Sequence, residues 1–452
     1  MLGMRTRPLS LFRGVSVMRL LYPICAGLDV HKDTVTVCLL QHGAGTEATA
    51  EIRTVATFTA DLEALRQWLW TAGCQAIALE STGSYWRPVW NVLVELDVPL
   101  YLVNPGQLER APGKKTDAAD SRWLAERLAV GALQGSYVPP QVILDARELT
   151  RYRRRLVQQH TDEANRLQKV LEGANIKLAS VATDILGKTG RAALKALIAD
   201  QPFDFETQVK GRLRTKRAEL AAALTGRVRS HHRVLLGQIL AHLEYLEGAI
   251  AQLDQQLEEL LRPFAVLLDL LRTIPGVQQR AAEDILAEIG PDMSAFPTHK
   301  HLCSWAALCP GNKESGGKRL SGKTRKGNRW LRGVLIECAL AAARTNGSDL
   351  SAEYRRLRAR KGPQRAAVAV AHSILQACYF ILRDAVPYQA PVRTVTAAQR
   401  DRQIRRTARQ LAALGVSVDP DWLTQGLADP PMAETGRPAQ RPDPETAATI
   451  AA

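Results

Sequence analysis

Eight apolar residues restrict this chain more than any other feature. Leu236, Ile239, Leu243, Leu246, Ile250, Leu253, Leu257 and Leu260 follow one another at alternating steps of three and four. That seam belongs to a coiled coil or a long helical hairpin; a strand, with its period of two, cannot use it. Residues 145–262 are therefore read as helical, with RELTRYRRRLVQQHTDEANRLQKVLEGA as the partner of the seam. GKTG at 187–190 and the DFE run near 204 mark breaks between helices. Two readings of the seam stay open: a hairpin within one chain, and an arm that joins copies of the chain.

Ahead of the seam, residues 24–140 read as a mixed α/β unit. AGLDVHKDTVTVCLL gives a strand, a polar turn and a second strand, and EIRTVATFTA gives a third. DLEALRQWLWTAG is an amphipathic helix ending at Gly73, and QAIALE is a short apolar strand closing on an acid. RPVWNVLVELD is a helix, PLYLVNP another short strand, and TDAADSRWLAERLAVGAL a helix with an acidic first turn. Strands alternating with helices imply a sheet with helices on its faces.

Behind the seam, residues 265–386 form a third unit. RTIPGVQQRAAEDILAEIG resembles a helix-hairpin-helix element, whose Pro-Gly turn can present backbone N–H groups to a phosphate. A polar loop, CPGNKESGGKRLSGKTRKGN, follows, and then the helices RWLRGVLIECALAAARTN and AAVAVAHSILQACYFILRDAV. The basic leader 1–23 is read as a disordered extension, with Met4 and Met18 as alternative starts, because Arg13 and Arg19 interrupt any signal-peptide core. Residues 387–452 are read as a mostly disordered tail in which RTVTAAQRDRQIRRTARQLAAL forms a basic helix.

Charge bears on partners. Lys and Arg number 60 against 45 Asp and Glu, a net charge of +15. Such a surplus calls for a polyanion. No run approaches the ~18 apolar residues of a membrane helix, so nucleic acid is preferred and no membrane partner is expected. The 7 cysteines form no CxxC pair or zinc spacing, which suits a reducing cytoplasm.

Four acids stand where active sites form. Asp29 ends the first apolar strand, Glu80 ends another, and Asp117 and Asp120 share one face of a helix at i, i+3. Converging carboxylates repel one another and bind Mg²⁺ through hard oxygen ligands. Two such ions can clamp the attacking and leaving oxygens of a phosphodiester. Read singly, Asp117 and Asp120 could be first-turn acids favoured by the helix dipole; His31 could touch the site, though a lone histidine is more often structural, and Asp33 reads as a turn residue.

The second candidate region is cationic. Lys313, Lys318, Arg319, Lys323, Arg325, Lys326, Arg329 and Arg332 crowd around glycines 316, 317, 322 and 327, with Glu314 the one acid. One sign of charge beside permissive backbone suits contact with a phosphate backbone. Ser315 lies beside this patch; as a nucleophile it would need a base or metal, and either it or Ser321 could simply bind phosphate.

Taken in order, GLDVHKD, ALESTGSYW, KKTDAADSRWLAERLA, RTIPGV…AEIG and AALCPGNKESGGKRLSGKTRKGNRWLRGVL resemble the DEDD transposases of bacterial insertion sequences, in the group numbered one hundred and ten, over residues 24–385. The resemblance implies an RNase-H-like N-terminal domain similar to Holliday-junction resolvases, with Asp29, Glu80, Asp117 and Asp120 binding Mg²⁺. It implies a C-terminal transposase domain with Ser315 as nucleophile, forming a transient 5′-phosphoserine link during strand exchange. It also implies a homo-oligomer, dimer or tetramer, in which acids of one copy meet the serine of another, and a structured guide RNA alongside DNA. The alternatives are a junction-type Mg²⁺ endonuclease without serine chemistry, a catalytically silent DNA-binding module, and an actin-like sugar kinase. The last lacks its further Gly-rich phosphate loops.

Overall fold

The computed structural model describes residues 20–43, 48–80, 83–104, 116–311, 313–391 and 397–415. Five strands, β1 (Ile24–Val30), β2 (Thr34–Gln41), β3 (Thr49–Ala56), β4 (Ala76–Glu80) and β5 (Leu100–Val103), form one sheet in the order β3-β2-β1-β4-β5. The first three are antiparallel neighbours, and β4 and β5 continue the sheet in parallel from β1. This mixed sheet fits the RNase-H-like unit expected from the sequence.

Helices α1 (Thr59–Thr71), α2 (Trp86–Leu93) and α3 (Asp117–Ala129) cover the sheet. Side chains alternate across the strands. Leu28, Val30, Val37, Ile77 and Leu79 pack with Leu62, Leu65 and Leu69 of α1 and Val89 and Leu93 of α2. On the opposite face, Cys25, Cys38, Ala76 and Ala78 pack beneath Leu124, Ala125 and Leu128 of α3. Gly27 lies on that second face. A Cβ there would stand 2.1 Å from the Ser121 carbonyl oxygen and 2.4 Å from the Ala125 nitrogen, so only glycine lets α3 settle this close to β1.

The helical part begins with α4 (Gln141–Gly173), followed by α5 (Leu178–Val181), α6 (Lys188–Ala199), α7 (Arg217–Leu224) and α8 (Ser230–Leu261). α4 and α8 pair antiparallel: Arg153 meets Asp254, and further along His160 meets Glu247. Leu236, Ile239, Leu243, Leu246, Ile250 and Leu257 of the seam are buried, and Leu253 and Leu260 half-buried. Within one chain the seam therefore closes a hairpin. Its far end holds a small core where Leu167 and Leu171 meet Leu194, Leu220 and Leu236.

Next come α9 (Ala265–Arg272), α10 (Gln279–Ile289), α11 (His299–Trp305), β6 (Lys313–Ser315), β7 (Lys318–Ser321), α12 (Arg329–Arg344), α13 (Asp349–Lys361) and α14 (Pro363–Asp384). The segment read as a polar loop is in part a hairpin, β6 and β7 pairing antiparallel. Gly316 and Gly317, both at positive φ (56° and 72°), supply the tight turn that two short strands of right-handed twist need. The Pro-Gly turn after α9 folds against the chain itself: Ile274 and Val277 are buried, and the Val277 N–H donates to the Ile274 carbonyl at 3.0 Å. The chain divides into two units, Met1–Tyr388 and Gln389–Ala452. In the second, α15 (Ala397–Ala413) is the expected basic helix. The rest of the expected tail, from 416 on, and residues 1–19 of the leader lie outside the described residues.

By length and hydropathy, Ser230–Arg272 and Pro363–Asp384 would each suffice to cross a membrane, a correction to the count of apolar runs. Their apolar faces are nonetheless used internally, Val370, Ile374, Leu375 and Ile381 of α14 lying in the C-terminal core.

Where α4 leaves the sheet, Arg153 is buried and Arg147 and Arg151 half-buried against α10. Arg151 donates to both Glu288 oxygens at 2.6 and 2.8 Å, and Arg147 to the carbonyls of Ala287 and Glu288 at 2.9 and 3.1 Å. Arg153, 3% exposed, reaches Glu283 at 2.5 Å, Asp284 at 2.8 Å and Asp254 at 3.0 Å. Burial lifts the Asp284 carboxyl to about 6, and Arg153 and Arg154 only partly pull it back.

Two measurements check this account. Gly27→Ala is expected to cost about 1–3 kcal/mol in urea unfolding by forcing α3 off the sheet. Gly248→Ala on α8, with nothing within 4 Å of its Cβ position, is expected to be neutral or to gain up to about 1 kcal/mol. Equal losses would remove the close approach as the cause. For Asp284, an acid whose folded-state pKa is raised binds more protons folded than unfolded. Its contribution to stability is whole below its ordinary 3.8 and declines as pH rises to about 6. Relative to Asp284→Asn, the wild type is expected to lose about 2–3 kcal/mol between pH 4 and 7. A flat difference across that range would rule this titration out.

Candidate catalytic site

The sheet delivers two acids to one edge. The parallel register of β1 and β4 pairs Leu28 with Leu79, which sets Asp29 and Glu80 one residue further along on neighbouring strands. By alternation both belong to the face that α3 covers. α3 begins at the same edge. Thr116 caps it, its hydroxyl accepting from the Ala119 N–H at 3.2 Å, and Asp117 and Asp120 occupy its first turn. The helix dipole favours acids there, so the acidic turn costs the helix nothing while aiming negative charge at the strand ends.

Asp29 and Glu80 are buried, at 5% and 9% exposure. The imidazole Nε2 of His31, in the turn after β1, lies 3.4 Å from Asp29 and 3.5 Å from Asp117. Ligating atoms of Asp29, His31 and Asp117 all fall within 4.8 Å of one another. Burial raises the Asp29 pKa, His31 lowers it, and Glu80, Asp117 and Asp120 each raise it further. The other three acids therefore all act on Asp29. A buried carboxylate pressed upward by three others is a site that a divalent cation would relieve, and its oxygen donors fit a hard ion. His31, set aside in the sequence as a single histidine, belongs to this cluster; its position two residues after Asp29, at the turn, was the available signal.

Ser315 is not brought to the carboxylates. It is exposed at the end of β6, paired in register with Lys318, and shares no hydrogen bond or ion pair with them among the described residues. Ser321 is exposed too, its hydroxyl accepting from the Lys323 N–H at 3.1 Å.

The basic residues divide by task. Lys318, Lys323 and Lys326 are exposed and form no ion pair among the described residues. Arg325 donates to the Ser304 hydroxyl at 2.8 Å, Arg332 donates to that of Thr324 at 2.6 Å, and Arg329 lies over the Trp330 ring. The side chains of Lys313 and Arg319 are outside the described residues. The base of the hairpin is held by Asn328, whose side-chain oxygen caps α12 by accepting from the N–H groups of Trp330 and Leu331 at 3.0 and 3.2 Å. Its amide donates to the buried Glu288 at 2.5 Å. The basic segment is thus tied to the same carboxylate that anchors Arg151 of α4. The composition of the loop gave no sign of this tie.

Comparison with known proteins gives the following. A family model described as a transposase, the DEDD transposase of IS110, matches residues 26–176. A second, described as a transposase of the IS116/IS110/IS902 family, matches residues 268–355. A probable family 20 transposase of Pseudomonas aeruginosa is 28% identical over 285 residues, 62% of this chain and 74% of the relative. An insertion element IS900 protein of Mycobacterium paratuberculosis is 27% identical over 306 residues, 63% of this chain and 75% of the relative. A pilin gene-inverting protein of Moraxella bovis is 27% identical over 153 residues, 32% of this chain and 47% of the relative. A Thermus thermophilus RuvC structure overlaps 25% of this chain and 99% of its own at 16% identity; its TM-score of 0.21 is too low to bear on the fold.

Substitution at Asn328 separates its two contacts. Asn328→Ala is expected to cost about 1–2 kcal/mol through the lost cap. Aspartate caps as well as asparagine, yet Asn328→Asp would set a second carboxylate against Glu288 and is expected to be the more damaging of the two. Thermal unfolding that leaves Asn328→Asp at wild-type stability would mean that only the cap matters.

Proposed function

The chain belongs to the IS110 family of transposases and is a DNA transposase, and on that premise we propose how its residues divide the work of strand exchange. The observation that carries the proposal is the convergence of Asp29, Glu80, Asp117 and Asp120, all coupled through the raised Asp29 carboxyl. In this reading the four carboxylates hold Mg²⁺, with His31 steadying Asp29 and Asp117. When bound, the metal would supply Lewis-acid polarisation of the scissile phosphate.

Ser315 is the proposed nucleophile. Its Oγ–phosphorus bond forms as the bond from phosphorus to the 3′ oxygen breaks. The serine loses its proton, the departing 3′ oxygen gains one, and a 5′-phosphoserine link results. Lys318, Lys323 and Lys326 beside it hold the DNA backbone and offset charge on the attacked phosphate. Among the described residues the exposed serine shares no hydrogen bond or ion pair with Asp29 or Asp117, which suits a composite site built from two copies of the chain. The same basic surface would hold a structured guide RNA, and the protein would act on bacterial DNA in the cytoplasm.

The test is a denaturing gel of the protein with insertion-element-end DNA, Mg²⁺ and the element's RNA. Wild type is expected to leave a covalent protein–DNA adduct that Ser315→Ala and Asp117→Ala both lose. Metal-dependent cleavage without an adduct, unchanged in Ser315→Ala, would discard the serine mechanism in favour of a junction-type endonuclease.

A further inference from the structure

Beyond both family-matched regions lies α15, with the sequence AAQRDRQIRRTARQLAA. Arg402, Arg405, Arg406 and Arg409 recur at i, i+3, i+4 and i+7, the spacing of a single helix face. All four are exposed. None of the four has an ion pair, hydrogen bond or aromatic neighbour among the described residues. The arginines of α4 differ in this respect, since Arg147, Arg151 and Arg153 are consumed by carboxylates and carbonyls. On the other side of α15, Ile404, Ala408 and Leu411 repeat at i, i+4 and i+7 and are buried or half-buried. The helix thus carries an arginine stripe on one face and an apolar one on the other.

From this we infer that α15 is a separate nucleic-acid-binding element, gripping the phosphate backbone through Arg402, Arg405, Arg406 and Arg409. Guanidinium groups pair with phosphate oxygens in bidentate fashion and remain charged at any working pH. Seven residues of helix advance about 10 Å, which lets the stripe meet successive phosphates along one strand. An anionic membrane is the competing surface for a basic helix, but the apolar side here has no aromatic residue to insert. The element carries no base-reading commitment. It adds affinity and lifetime to whatever the basic hairpin holds, and it does not depend on the serine mechanism.

The test uses the full chain with all four arginines changed to glutamine, which keeps helix propensity while removing charge. Binding is measured against salt for a 30-bp DNA duplex, an RNA hairpin of equal length, and vesicles containing anionic lipid. Each phosphate contact adds about 0.9 to the slope of log affinity against log salt on duplex DNA, so the slope is expected to fall by about 2–4 and affinity by about 10–100-fold. The four-lysine variant is expected to keep most of the slope. The nucleic acid that loses more identifies which polyanion α15 holds. Unchanged slopes for both nucleic acids would overturn the inference, as would a loss confined to vesicles. Adduct formation by Ser315 is scored separately, so a failed serine mechanism and a failed α15 contact give different results.

Discussion

The chain depends on drawing arginine out of full solvent without leaving its charge unpaired. Arg147, Arg151 and Arg153 stand on the part of α4 that is pressed against α10, and each is satisfied several times over by Glu288, Glu283, Asp284, Asp254 and the carbonyls ending α10. Removing a charge from water costs several kcal/mol and is recovered only with good geometry and full hydrogen bonding. Half a network of this kind would therefore be worse than none. What it provides is orientation: α10, the hairpin base at Asn328 and α8 are all referred to one helix through charged groups that have no second place to go.

The carboxylate edge follows an opposite rule. Here like charges are gathered, and the Asp29 pKa is raised, first by burial and then by its acidic neighbours. The cost is tolerated because the elements that impose it are held for other reasons. Gly27 lets α3 lie against β1, Thr116 starts α3 at the strand ends, and the β1–β4 register brings Glu80 beside Asp29. The unfavourable gathering of charge is thus imposed by surroundings that are favourable for other reasons.

Much of this was legible in the sequence, for local reasons. The strands of 24–140 and the helix from Asp117 followed from periodicity, and with them the places of the four acids at element ends. The heptad seam identified α8 and its partner because alternating steps of three and four are specific to paired helices. Other features were hidden because they are made by distant residues. Nothing near Asn328 announces Glu288, and nothing near Arg151 announces α10. The hairpin at Ser315 was read as loop because glycines and lysines dominate it, although paired glycines are also what a two-residue turn requires. His31 was discounted because one histidine is weak evidence until geometry places it. The segments that pass a hydropathy test for membrane spans show the reverse case, where composition overstates and packing corrects.

The continuity of α4 has a mechanical consequence. It is a single helix of 33 residues, close to 50 Å of unbroken rod at about 1.5 Å per residue. Its base is gripped on two sides, by the ion pair of Glu148 with Arg87 of α2 and by the arginine network to α10. A rod clamped at one end is a lever. A tilt of about five degrees at the base would swing the distal cluster around Leu171 by roughly 3 Å. Small adjustments where the sheet meets the helical core would therefore be magnified at the remote tip, and a load on the tip would be felt as torque at the base.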